Sequence, residues 1–381
     1  MIKSLEGGRG LAALIVALYH LKIGTADWSV LRNGYLFVDL FFVLSGFVIC
    51  AAYAGRMANG DDFRAFLIRR TGRLLPLQLF STLFFILVQN GIVLAKRIAA
   101  AAGYGAALAS PGALDFVTPD PAQLLAVATF THGMGLFHDL ILNTPSWSIS
   151  TEFFTYLLFA AICLFAKGRA RLLVFAFLSM AALAISVWAS VTIPQCLVKG
   201  GCLSLTYDFG FPRSVFSFFL GALCWHCCRA WQPDRAASTR LPASMLALLG
   251  AALLVAGLTL VDRQPAWAFA FPFAFALLVS GVSTDQGWLA DALKTRPLQI
   301  LGERSYSIYL LHMPLVMIFG NIAHRVESPS LRLAVLLSYV ATLLILSGWT
   351  YRFVEQPFRT KFNRLASRTA VTASEPALAK K

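Results

Sequence analysis

Charge is what this sequence has least of. Asp, Glu, Lys and Arg together make up 13% of its 381 residues, about half the ~25% of an ordinary soluble domain. Acid is the scarcer sign: 18 Asp and Glu stand against 32 Lys and Arg, for a formal net charge of +14. Cysteine is sparse as well, with seven residues scattered along the chain, too few for the disulfide framework of a small secreted domain. What fills the sequence instead is apolar, at 58%. One soluble core cannot hide that much apolar surface, and a disordered chain would not carry it. A transmembrane helix needs ~20 apolar residues, so the composition supplies about ten. The runs are long and continuous, which excludes the short alternating strands of a membrane β-barrel.

The apolar runs fall at 8–26, 34–54, 74–95, 147–166, 170–190, 213–230, 242–261, 266–283, 298–321 and 331–353. A shorter run at 121–137 carries His132 and reads as a re-entrant or interfacial piece. The first run lacks a clear small-residue cleavage site and His20 interrupts its end, so it reads as a helix rather than a signal peptide. With the N-terminus placed inside, the cytoplasmic segments collect Arg64, Arg69, Arg70, Arg73, Lys167, Arg169, Arg171 and the basic C-terminal end. The outer segments keep few basic residues, among them Lys199 and Arg213. This is the positive-inside pattern. It accounts for most of the +14 without a nucleic-acid partner, so none is expected. The expected fold class is all-α: a polytopic integral membrane protein with about ten transmembrane helices and both termini cytoplasmic. The membrane domain is expected over 1–359, and 360–381 as a basic, disordered cytoplasmic tail.

Cys196 and Cys202 fall in an outer segment, where pairing is open to them. Cys224, His226, Cys227 and Cys228 have the look of a metal cluster but sit in an apolar run. Helix packing is the preferred reading, and no metal is expected.

Ionisable residues inside apolar runs are expensive, so each is a functional candidate. Arg9 and His20 are eleven positions apart, close to three helical turns and about 16 Å along one helix face. Depth counted from the span ends puts His20, Asp39, Glu152 and His312 in one band of the outer half. Two imidazoles and two carboxylates at one level suit proton transfer. At the cytoplasmic face Arg9, Arg69, Arg70 and Arg73 converge, and guanidinium forks suit phosphate. Glu355 and Arg359 read as an interfacial ion pair at the same face. A phosphate site inside and a proton-handling site further out suggest a long phosphorylated donor, and coenzyme A has that shape.

Leu5-Glu6-Gly7-Gly8-Arg9-Gly10 followed by Tyr19-His20, Gly34 to Phe47 around Asp39, and Arg69-Arg70-Thr71-Gly72-Arg73 occur in that order. They are followed by Trp147-Ser148-Ile149-Ser150-Thr151-Glu152, by Ser305 to Pro314 around His312, and by Val354-Glu355-Gln356-Pro357. This succession resembles the membrane acyltransferase family 3 over nearly the whole chain. Glu6 and Gly8 depart from the commoner residues there, and neither is a proposed catalytic group.

The resemblance implies an O-acetyltransferase of the bacterial inner membrane. It would move an acyl group, acetyl in most members, from cytoplasmic acyl-CoA to a hydroxyl of a carbohydrate such as a surface or exported polysaccharide or a lipooligosaccharide. Catalytic expectations are His20, Glu152 and Asp39; donor-binding expectations are Arg9, Arg69, Arg70 and Arg73. Trp147, Ser148, Tyr309 and His312 are the acceptor-side candidates. Partners are the carbohydrate acceptor and membrane lipid; the sequence carries no signal for an oligomeric state. Some members add an extracytoplasmic hydrolase-like domain, and none is expected here. Two other readings stay open: transfer of succinyl or a longer acyl group to periplasmic glucan or a glycosylated small molecule, and a transporter of a lipid-linked sugar. The transporter would show inverted repeats, and the motifs do not recur between the halves.

Overall fold

A computed structural model describes residues 2–22, 28–104, 115–231, 240–323 and 325–372. The described elements are all helical. In chain order they are α1 (Lys3–Leu21), α2 (Ser29–Arg32), α3 (Phe37–Tyr53), α4 (Gly60–Ala101), α5 (Pro121–Ala128), α6 (Trp147–Phe165), α7 (Gly168–Thr192) and α8 (Cys196–Lys199). There follow α9 (Gly210–Trp231), α10 (Arg240–Leu260), α11 (Phe271–Val282), α12 (Trp288–Leu293), α13 (Arg296–Glu303), α14 (Ser305–Ala323), α15 (Pro329–Thr350) and α16 (Gln356–Thr372). Eight helical stretches among these residues are long and apolar enough to cross a membrane. The other two expected spans form α1 and α9, whose polar residues, Glu6, Arg9 and His20 in one and Arg213 and His226 in the other, set them apart.

A phenylalanine core joins the bundle. Phe42 and Phe47 of α3, Phe159 of α6, Phe175 of α7 and Phe216, Phe218 and Phe219 of α9 are each exposed by 1% or less. Small residues bring backbones together where side chains must converge. A Cβ at Gly46 would strike the Phe218 carbonyl of α9, and one at Gly221 would strike Val43 of α3. On the other side a Cβ at Gly10 would strike the backbone at Leu301–Gly302 of α13. That second approach places Arg9 beside the start of α14. The first turn of α1 is fixed from across the fold, with the Lys3 and Ser4 amides donating to the Asp285 carboxylate at 3.1 and 2.8 Å.

Four sequence expectations change. The arginine motif is not in a loop before a span: α4 is one helix of 42 residues, about 63 Å at 1.5 Å per residue. It starts early because Asn59 and Asp62 form a reciprocal capping box. The run 298–321 is two helices, α13 and α14, parted at Arg304. The short run 121–137 is helical only over α5. The expected disordered tail is helical through Thr372, because α16 packs along α4 with Phe362 against Gly72. The remainder of that tail lies outside the described residues.

Candidate active site

The polar residues buried in the bundle form two groups, called outer and inner after the orientation expected from the sequence. In the outer group His20 of α1 and His312 of α14 face each other, with ring centroids 4.9 Å apart. His20 Nδ1 lies 2.9 Å from the Val16 carbonyl, and His312 Nδ1 lies 2.6 Å from the Tyr309 carbonyl. A carbonyl can only accept, so a neutral ring carries its proton on Nδ1 and leaves Nε2 as a base in both. His312 is fully buried, and its Nε2 has no hydrogen-bond partner among the described residues. Tyr309, next on the same helix face, shares a 2.8 Å hydrogen bond with Ser148, and its ring lies 5.8 Å from His312. The acceptor-side candidates Ser148, Tyr309 and His312 are thus contiguous with His20.

Asp39 does not join them. It is fully buried, and Arg213 of α9, 1% exposed, binds both its oxygens through Nε at 3.2 and 3.1 Å and through Nη2 at 2.7 Å. Ser217 donates to Asp39 at 2.8 Å. Arg213 also donates to the Leu205 and Tyr35 carbonyls, and its guanidinium lies 5.7 Å from the Trp147 ring. Asp39 and Trp147 therefore belong to a closed ion-pair assembly beside the imidazoles. The sequence placed Arg213 in an outer loop. The signal that finds it is an Asp and an Arg on separate spans, each needing the other in a medium of low dielectric. The covalent closure of this end is a disulfide between Cys196 and Cys202, and Tyr35 donates its hydroxyl to the Cys202 carbonyl at 3.1 Å.

Glu152 also leaves the predicted band. It accepts from Tyr156 at 2.5 Å, and Ser45 lies 2.7 Å from the same hydroxyl. Its charge is among the nearest that Arg73 of α4 and Tyr306 of α14 experience. The depth count failed because Ser148, a full turn before Glu152, already meets Tyr309. Glu152 therefore projects toward the inner group.

The inner group is organised by three consecutive residues of α14. Ser305 accepts from Arg9 Nε at 2.8 Å. Tyr306 donates to the carbonyl of Leu74, the neighbour of Arg73, at 2.7 Å. Ser307 donates to Glu355 at 3.2 Å. Arg9 further donates to the Gly302 carbonyl at 3.0 Å and pairs with Glu6 at 3.3 Å. Glu355 is 3% exposed and enters from a π-helical turn over Tyr351–Glu355. Pro357 has no N–H to donate to the carbonyl of Phe353, which accounts for the widened turn. Arg73, Arg9 and Arg359 supply the nearest positive charges to Glu355, yet none forms an ion pair with it within 4.0 Å. The expected interfacial pair of Glu355 with Arg359 is instead a buried cluster of wider membership.

Arg69 diverges from this cluster, while Arg70 stands at its edge, within electrostatic reach of Arg359. Arg70 lies over the Tyr53, Phe66 and Tyr156 rings at 5.3–5.8 Å and donates to the Tyr53 hydroxyl at 3.2 Å. Arg69 lines a separate cavity of about 410 Å³ with Tyr53, Arg56 and Asp62. A further polar set, unnoticed in the sequence, links Gln78, His132, Ser146 and Asn143 beside α14. No group of three or more His, Cys, Asp or Glu among the described residues is arranged to hold a metal ion.

Fold and site together define a class: a polytopic, all-helical membrane protein with two imidazole bases and an arginine cluster enclosed in one bundle. The profile of a family described as an acyltransferase domain matches residues 2–352. The chain belongs to that family, membrane acyltransferase family 3. It is similar to "Putative peptidoglycan O-acetyltransferase YrhL" of Bacillus subtilis (strain 168), with 30% identity over 398 residues, 96% of this chain and 56% of that protein. It is also similar to "O-acetyltransferase OatA" of Staphylococcus aureus (strain NCTC 8325 / PS 47), 24% identical over 94% of this chain and 57% of that protein. "Peptidoglycan O-acetyltransferase OatA" of Listeria monocytogenes is 24% identical over 94% and 56%. The chain spans little more than half the length of these relatives. No solved structure matches it.

Proposed function

We propose that the protein is an O-acetyltransferase of the bacterial inner membrane, moving acetyl from cytoplasmic acetyl-CoA to a hydroxyl of a carbohydrate acceptor at the outer side. The observation that carries the reading is the pair His20 and His312, each with Nε2 left as a base, set on α1 and α14, the two helices that also meet at Arg9 and Ser305 in the inner group. The names of the relatives support a carbohydrate acceptor of the cell surface, peptidoglycan among them. The positive-inside pattern supports an inner-face arginine cluster, and the disulfide suits an oxidising outer side.

The Arg73 side chain makes no hydrogen bond to the described residues, and its neighbours Arg9 and Arg359 add two more guanidinium groups. Such a set fits the phosphates of a coenzyme A nucleotide. The donor supplies an activated thioester. His20 Nε2 takes the proton from the acceptor hydroxyl as that oxygen bonds to the acetyl carbon. The carbon–sulfur bond breaks, and His20 passes the proton to the departing thiolate, which leaves as the coenzyme A thiol. His312, behind it, orients the acceptor hydroxyl or the His20 ring.

The test uses membrane vesicles given acetyl-labelled acetyl-CoA. Acceptor-dependent loss of label from the donor is expected, and His20→Ala should lower it by about 10²–10⁴-fold with the protein still folded. Near-normal transfer by well-expressed His20→Ala overturns the assignment. Label retained on wild-type protein without acceptor, after rapid quenching, would replace direct attack with an acetyl-His20 intermediate.

A further inference from the structure

The inner cluster contains an anion of its own. Glu355 is almost fully buried, and among the described residues its side chain accepts one hydrogen bond, from Ser307. It stands among Arg9, Arg73 and Arg359 and touches none of them. A carboxylate that served to position the guanidiniums would bind them directly, as Asp39 binds Arg213. Glu355 is instead held back by α14 at a distance, and the π turn at Tyr351–Glu355 is what brings it inward. Near it, the Arg73 guanidinium keeps its donors free of hydrogen bonds to the described residues. This is how a bundle stores positive charge without a ligand. Glu355 offsets the mutual repulsion of the arginines through space, beside Glu6 on Arg9 and Glu152 near Arg73, and the hydrogen-bonding capacity of Arg73 stays unspent.

We propose that Glu355 is a resident counter-anion of the donor site, which stabilises the empty arginine cluster and opposes the phosphate groups that occupy it. The proposal rests on the reading that these arginines hold the donor's phosphates. Its consequence is weaker binding of the donor and of the coenzyme A product than three arginines alone would give. Glu355 thereby favours release of coenzyme A after transfer.

The experiment measures binding of adenosine 3′,5′-bisphosphate, the nucleotide end of coenzyme A, to the full chain in detergent. Glu355→Gln keeps the size and the bond to Ser307 while removing the charge. It should bind the bisphosphate at least about tenfold more tightly, the scale of one unit charge acting over about 12 Å at an effective dielectric of about 20. Glu355→Asp keeps the charge and should bind like wild type. Equal or weaker binding by a folded Glu355→Gln protein, with wild type binding normally, overturns the counter-anion and leaves the donor site standing. No binding by either protein removes the donor site and the proposal together. If Glu355→Gln is recovered folded only when the bisphosphate is present, the ligand has replaced the missing anion, as proposed. If neither Glu355→Gln nor Glu355→Met folds even with the bisphosphate present, Glu355 is an architectural residue and the proposal fails.

Discussion

Two buried clusters of charge sit in one bundle, and they are built on opposite plans. In the outer cluster every strong group is spent. Asp39 receives both Arg213 and Ser217, and Arg213 has carbonyls for its remaining nitrogens. In the inner cluster Arg9, Arg73 and Arg359 surround Glu355 without an ion pair to it. A closed cluster holds helices in place, because breaking it exposes an uncompensated charge in a medium that cannot solvate it. An open cluster has capacity left for a ligand. The difference teaches that buried charge in a membrane protein does not by itself mark the site; unspent hydrogen-bonding capacity does.

The largest effect expected from this contrast is on stability, at the outer cluster. Arg213→Met leaves Asp39 buried and unpaired, at a cost of about 3–5 kcal/mol. Much less folded protein should be recovered in detergent, with a clearly lowered thermal midpoint. Combining it with Asp39→Leu removes both charges and should restore about half of the loss or more. A double variant no more stable than Arg213→Met would show that the guanidinium acts through the Leu205 and Tyr35 carbonyls rather than through the ion pair.

At the inner cluster the same kind of change should act on function instead. Arg73→Gln removes one of several like charges, and no hydrogen bond within the described protein is lost with it. The thermal midpoint should stay close to wild type. Donor KM should rise by about 10–100-fold, the range of one charge-assisted contact, with a smaller change in kcat. A folded Arg73→Gln enzyme with normal donor KM would erase the distinction between the clusters. A strong loss of folded protein would do the same from the other direction.

The class of fold was legible in the sequence because apolar length is a one-dimensional signal. The runs at 34–54 and 147–166 became α3 and α6 almost unchanged. The Arg9–His20 spacing was legible because both lie on one helix, where geometry follows from residue number. Relations between helices were not. Counting depth put Asp39 and Glu152 beside His20, but the rotation and axial slide of α3 and α6 turn one to Arg213 and the other to the arginines. Arg69 and Arg70 were grouped with Arg73 because they are adjacent. Their surroundings differ because successive residues of a helix point about 100° apart, which leaves Arg70 at the edge of the cluster and turns Arg69 to a separate cavity. Glu355 needed a π turn to be seen as buried, and no periodicity announces one.

The smallest effect tests how α1 is fixed, since it carries Arg9 to the inner cluster and His20 to the imidazole pair. Asp285 caps it from the far end of α11, accepting from the Ser4 and Lys3 amides. Burial alone would raise the Asp285 pKa; the amide hydrogen bonds, with the Ser4 hydroxyl and the charge of Lys294, outweigh it and lower it below its ordinary value. A carboxyl whose pKa is lower in the folded state stabilises above the unfolded pKa, near 3.9, and loses that contribution as pH falls through the folded value. At pH 7 the contribution is complete. Asp285→Ala should cost about 1 kcal/mol there, the usual loss on removing a helix N-cap. The gap between variant and wild-type thermal midpoints should then narrow below about pH 4. Because the cap sets the axial position of α1 relative to α13 and α14, Asp285→Ala should also raise donor KM modestly, by less than Arg73→Gln does. A gap that stays constant down to pH 3 would mean that the Asp285 contacts hold α1 through shape rather than charge.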